Sequence, residues 1–221
     1  MTSRYHGPII DAHHHLWDLS LGRHPWITSA DSAIKALGDI GYLRRDYLVA
    51  DYLADIGHEP VEGSVYVEGA WDRTRPPLEE IAWLEGLARP RQIAARSIAW
   101  APLKSQNAPA VLDGLAARPS VVGIREVVRW HPDPAKRWTE AGLLDDPQWR
   151  RGFGALKSRG LLLCPAELRG QGFGDRRGCL YQSIRLCHSG AKAGAKTSNS
   201  AQRCHGRDPA ALRPRIPRRC P

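Results

Sequence analysis

The stretch Asp11-Ala12-His13-His14-His15-Leu16-Trp17-Asp18 carries three consecutive histidines directly after an apolar pair, Ile9-Ile10. In a strand, side chains at i and i+2 point the same way. His13 and His15 can therefore present two imidazoles to one point, while His14 points elsewhere. Neutral imidazole is a good ligand for Zn²⁺ and similar divalent metals. A catalytic metal takes about three protein ligands and keeps one position open for water. Two histidines are thus part of a site, and the rest must come from elsewhere in the fold. The competing reading is three histidines at a strand end, satisfied by hydrogen bonds.

Strand and helix patterns alternate around this motif. Residues 9–12, 64–68, 92–100, 121–130 and 161–163 read as strands, the later ones rich in Ile, Val and Leu. Between them, Leu48, Tyr52 and Ile56 fall at four-residue steps. Pro77 opens a second helical run with Leu78, Ile81, Leu84 and Ala88, and Val111, Leu112 and Leu115 form a third. Asp146-Pro147 is an N-cap and first-turn pair, Trp149, Phe153 and Leu156 share one face, and Gly160 ends that helix. The later strands, from 64 onward, start roughly 30–40 residues apart, the spacing of βα units. The expectation is an α/β protein with a parallel sheet. Periodicity alone leaves a barrel and an open doubly wound sheet both standing.

The composition divides near residue 160. All eight Trp lie between Trp17 and Trp149, and all five Cys lie from Cys164 onward. Residues 1–160 hold 20 Lys+Arg against 20 Asp+Glu, whereas residues 161–221 hold 12 against 3, so the net charge of +9 sits in the last part. Residues 164–221 show no sustained period and are rich in Arg, Gly, Ser and Pro. Such a segment buries too little apolar surface to offset the entropy of ordering it. The expected division is a folded unit over 1–163 and a basic, low-order tail over 164–221. The tail reads either as a natural basic extension or as translation in a shifted frame from about residue 160–165.

Four segments together resemble one family. Ile9-Ile10-Asp11-Ala12-His13-His14-His15-Leu16-Trp17-Asp18 resembles the opening of the amidohydrolase-2 (amidohydrolase-related) family. Its lactonase-like branch includes enzymes similar to fuconolactonase, rhamnonolactonase and pyrone-dicarboxylate lactonase. Val67-Glu68-Gly69-Ala70-Trp71-Asp72 is similar to the end of that branch's second strand. Val122-Gly123-Ile124-Arg125 with Trp130-His131-Pro132-Asp133-Pro134 is similar to its fourth strand and following loop. Pro147-Gln148-Trp149-Arg150-Arg151-Gly152-Phe153 resembles the next helix. The resemblance spans about residues 8–163.

The resemblance implies a (β/α)₈ TIM barrel, here its first four to five βα units, and hydrolysis of a lactone or related carbonyl compound by activated water. It implies a divalent metal, Zn²⁺ first, at His13 and His15, although some members of the branch work without one. A metal there would polarise the carbonyl or lower the pKa of bound water. Arg125 is expected to grip a substrate carboxylate through its two-pronged guanidinium. Glu68 and His131 lie at ends of strand candidates, where barrel active sites sit. Glu68 is expected as ligand, proton carrier or salt-bridged interior carboxylate, and His131 as catalytic residue or cap of its His-Pro-Asp-Pro turn. The family's later histidine and aspartate find no match, since His188 and Asp208 follow no apolar strand. The chain is therefore expected to be a truncated, impaired member acting on a small molecule in the cytoplasm.

Two other functions are weaker readings. A basic tail gripping nucleic acid or acidic surfaces would fit the charge, but the tail has only Phe173 and Tyr181 for stacking. A zinc-binding tail would use Cys187-His188 and Cys204-His205, but no Cys-x-x-Cys pair is present. No run of 18 or more apolar residues exists, so no membrane span is expected.

Overall fold

Five strands alternate with helices in the computed structural model, which describes residues 7–29 and 39–166. The strands are β1 (Ile9–His14), β2 (Val61–Val67), β3 (Arg96–Trp100), β4 (Val121–Val127) and β5 (Leu162–Ala166). The helices are α1 (Pro25–Thr28), α2 (Val49–Ile56), α3 (Pro77–Gly86), α4 (Ala108–Ala116) and α5 (Pro147–Lys157). Every pairing in the sheet is parallel, and the strand order is β1-β2-β3-β4-β5. A doubly wound sheet reverses its order at a switch point; this sheet never does. Sequential parallel strands joined through helices are the arrangement of a (β/α) barrel, of which the described residues form a curled, open part.

Strand boundaries differ from the sequence reading where distant contacts intervene. β2 starts at Val61 rather than residue 64, because Val61 and Gly63 pair with Ile9 and Ile10. β3 starts only at Arg96, because Ala94 takes a left-handed φ of 49° and its N–H donates to Ser64 Oγ at 2.8 Å. β4 ends at Val127 rather than residue 130. β5 runs through Cys164 and Pro165 to Ala166, beyond the expected break at 163, with Cys164 beside Arg125 in register. The remainder of the predicted tail, with His188 and Asp208, lies outside the described residues.

The helices close the outer face of the sheet. Tyr52 of α2 and Leu84 of α3 pack with Tyr66, Leu16 and Ile93. Further along, Leu112, Leu115, Trp149 and Leu156 pack against Ala99, Ile124 and Leu163. Asp146 caps α5 by accepting from the N–H groups of Gln148 (2.7 Å) and Trp149 (3.3 Å), with Pro147 in the first turn. Gly152 brings α5 against the segment after β3 so closely that a Cβ there would lie 2.0 Å from the Leu103 carbonyl oxygen. No helix among the described residues is long and apolar enough to cross a membrane.

Candidate active site

The end of β1 sorts the three histidines. Its register with β2 shifts between Asp11 and His14. Asp11 and His14 both turn toward α2. Tyr52 Oη donates to Asp11 Oδ2 at 2.9 Å, and the His14 ring stacks on Tyr52 with its Nε2 3.0 Å from Ser64 Oγ. His13 and His15 share the other face, their Nε2 atoms 3.2 Å apart.

The His15 Nδ1–H donates to the Val67 carbonyl at 2.8 Å, which leaves a lone pair on Nε2. Burial, then the charge of Arg125 and then His13, hold the His15 pKa down to about 3. Burial and Arg125 lower His13 as well. Both shifts favour the neutral ring, the form a metal requires. Two nitrogens at 2.0–2.1 Å from a tetrahedral metal stand about 3.3 Å apart, so the observed separation fits one edge of such a site. The donor set stops there: among the described residues no group of three or more His, Cys, Asp or Glu converges. The pair fits half a metal site.

Glu68 follows β2 and is fully buried. Its Oε2 accepts from the Ala70 N–H (2.9 Å) and from Arg73 Nη2 (2.7 Å). Its Oε1 lies 3.4 Å from Arg125 Nη1, which also donates to the Glu68 carbonyl at 3.2 Å. Glu68 therefore orients two guanidinium groups. Ala70, next to it, holds a left-handed φ of 56°, local strain of the kind found at functional sites.

A cavity of about 620 Å³ opens here, lined by His15, Glu68, Arg125 and residues that local pattern did not single out. Arg73 stacks over Trp100, 4.3 Å from the ring centre. Arg129, only 7% exposed, lines the cavity beside Trp138. The Nε groups of both Arg125 and Arg129 are buried without a hydrogen-bond partner among the described residues. Trp26 and Trp71 complete the aromatic wall. Glu126 also lines the cavity, with burial raising its carboxyl to about 7. Strand alternation places its side chain on the face of β4 opposite Arg125, toward Trp149 of α5.

The structure brings His15, Glu68 and Arg125 to this one cavity, with His13 3.2 Å from His15, but does not bring His131 there. His131 Nδ1 accepts from the Asp133 N–H at 2.9 Å, and its carbonyl accepts from Arg137 Nε at 3.1 Å. These bonds tie the His131–Asp133 turn.

No family model matches the chain. It is similar to the uncharacterized protein y4mH of Sinorhizobium fredii, at 32% identity over 154 residues, covering 69% of this chain and 51% of that protein. Among solved structures it resembles two provisionally assigned 2-pyrone-4,6-dicarboxylic acid hydrolases. One, from Acinetobacter baumannii with citric acid bound, is 17% identical at a TM-score of 0.45, covering 71% of this chain and 48% of that one. The other, from Pseudomonas putida, is 18% identical at a TM-score of 0.45, covering 72% and 48%. The chain thus spans about half the length of the proteins it matches.

Proposed function

We propose that the cavity binds a small carboxylated carbonyl compound, a lactone first among them, and that its chemistry is hydrolysis by activated water. One observation carries this reading: two guanidinium groups, whose buried Nε–H donors have no partner among the described residues, share a cavity with a neutral imidazole at a strand end. A buried cation with an unsatisfied donor is costly, and a carboxylate repays it through charge-assisted hydrogen bonds. The indoles of Trp100 and Trp138 supply flat apolar walls for the body of the substrate.

Each group then has a task. Arg125 and Arg129 bind the carboxylate. Glu68 holds Arg125 and Arg73 in place. His13 and His15 would hold a divalent metal, Zn²⁺ first, which when bound supplies carbonyl polarisation and a more acidic water. His131 acts through the loop it caps. The later histidine and aspartate implied by the family resemblance are unmatched in this chain, so reduced turnover is its expected behaviour. A cytoplasmic small-molecule enzyme without nucleic-acid or membrane partners completes the proposal.

The test is calorimetric binding of 2-pyrone-4,6-dicarboxylate, with hydrolysis followed by loss of its ring absorbance. Arg125→Leu and Arg129→Leu should each weaken binding at least about tenfold, the scale of a lost charged hydrogen bond. Wild-type binding unchanged by either substitution would remove the basis of the reading.

A further inference from the structure

The corner after β2 carries Glu68, Gly69, Ala70 and Arg73, and a buried carboxyl of α3 holds it from behind. Glu80 stands in the first turn of that helix and is 2% exposed. Its Oε1 accepts from Tyr66 Oη and from the Gly69 N–H, each at 2.7 Å. The other side of Gly69 is tied as well. Its carbonyl accepts from Trp26 Nε1 at 2.8 Å, and a Cβ at this position would lie 3.2 Å from His24 Nε2. The next residue, Ala70, takes the left-handed φ of 56°, and its N–H donates back to Glu68 Oε2. A non-glycine residue keeps that conformation only where its surroundings fix it. The same Glu68 oxygen accepts from Arg73, which lies over Trp100 in the cavity. Burying a carboxyl is unfavourable, and an apolar side chain of similar size would pack α3 without that penalty. What the carboxyl adds is one acceptor that joins β2, the corner and α3.

We propose that Glu80 is a positioning residue for this cavity. Through Gly69 it holds the left-handed turn at Ala70, and so sets where Glu68 places the Arg73 and Arg125 guanidinium groups for a carboxylate ligand. The inference rests on the carboxylate-binding reading above. Glu80 stands behind the residues that line the cavity, so its effect on a ligand passes through Glu68. Without this acceptor the Gly69 N–H loses its partner and Ala70 relaxes toward ordinary backbone angles. The bonds from Ala70 and Arg73 to Glu68 are then released together.

The experiment compares the full 221-residue chain with two variants. Glu80→Leu removes the acceptor at similar volume, whereas the amide oxygen of Glu80→Gln can still accept from both donors. Calorimetric binding of 2-pyrone-4,6-dicarboxylate should weaken at least about tenfold in Glu80→Leu and stay within about threefold of wild type in Glu80→Gln. Trypsin should cut the Arg73–Thr74 bond at least about tenfold faster in Glu80→Leu alone, with the cut after exposed Arg44 as internal reference. In the wild-type chain, the Gly69 amide should exchange with solvent at least about 100-fold more slowly than an open peptide. A folded Glu80→Leu variant with wild-type affinity or an unchanged cut at Arg73 overturns the proposal and leaves the binding reading intact. So does an equal loss in Glu80→Gln, which would make buried charge, and not acceptor geometry, the cause. An unprotected Gly69 amide overturns it even if Glu80→Leu does not fold. Absence of wild-type binding overturns the carboxylate reading and the task given to Glu80 with it.

Discussion

The rings of His13 and His15 stand nearly perpendicular, at 83°, with their Nε2 atoms 3.2 Å apart. The bond from His15 Nδ1 to the Val67 carbonyl sets the tautomer that makes this pair useful. One Nε2 lone pair is already aimed at the shared point. A divalent cation there would replace the single proton between the rings.

The first prediction concerns that cation. In equilibrium dialysis the chain should take up Zn²⁺ at one site of modest affinity, since two imidazoles are fewer than a catalytic metal's usual three ligands. His13→Ala or His15→Ala should each weaken uptake more than about tenfold. His14→Ala should leave uptake within about twofold, because its ring faces Ser64 and Tyr52. Equal losses in all three variants would show that the His13–His15 pair is not the site.

The second concerns acid stability. His24 is fully buried, and neither ring nitrogen has a hydrogen-bond partner among the described residues. Burial holds its pKa down to about 4, below the usual histidine value of about 6.5. Its stabilising contribution is present above about pH 6.5 and is lost as pH falls through about 4, because the unfolded chain takes up the proton first. His24→Phe keeps the edge contact with Trp71 and removes both buried nitrogens. Thermal unfolding should show a higher Tm for the variant at about pH 5 and a shallower fall in Tm with acid. Some fall should remain, because His15 is depressed in the same direction. A variant with the wild-type slope would rule out His24 as a source of acid sensitivity.

The third concerns packing. A Cβ at Gly152 meets the Leu103 carbonyl at 2.0 Å, whereas one at Gly154 meets nothing within 4 Å. Gly152→Ala must push α5 off the segment after β3 and should cost about 1–3 kcal/mol in urea unfolding. Gly154→Ala, on the exposed side of the same helix, should stabilise by about 0.5–1 kcal/mol. Similar effects at both positions would contradict the close approach of α5.

Much of the frame is legible from local rules. The Asp146-Pro147 pair marks the start of α5 because capping and φ restriction act within one turn. The side-by-side placing of His13 and His15 follows from strand alternation. Glu68 could be located at a strand end, but not assigned: its partners Arg73 and Arg125 come from different segments. His131 had the right type and position, yet its ring nitrogen is used inside its own turn. Arg129 and Glu126 carried no spacing signal, since what distinguishes them is burial against residues far along the chain.

By itself, the sequence determined the alternation of strands and helices, the histidine pair and the composition break near residue 160. These depend on neighbours within a few positions. Only the tertiary structure decided that the strands stack in order without reversal, and that His15, Glu68, Arg125 and Arg129 share one cavity. Parallel pairing and ion pairing join residues dozens of positions apart, and no local pattern records which of them meet.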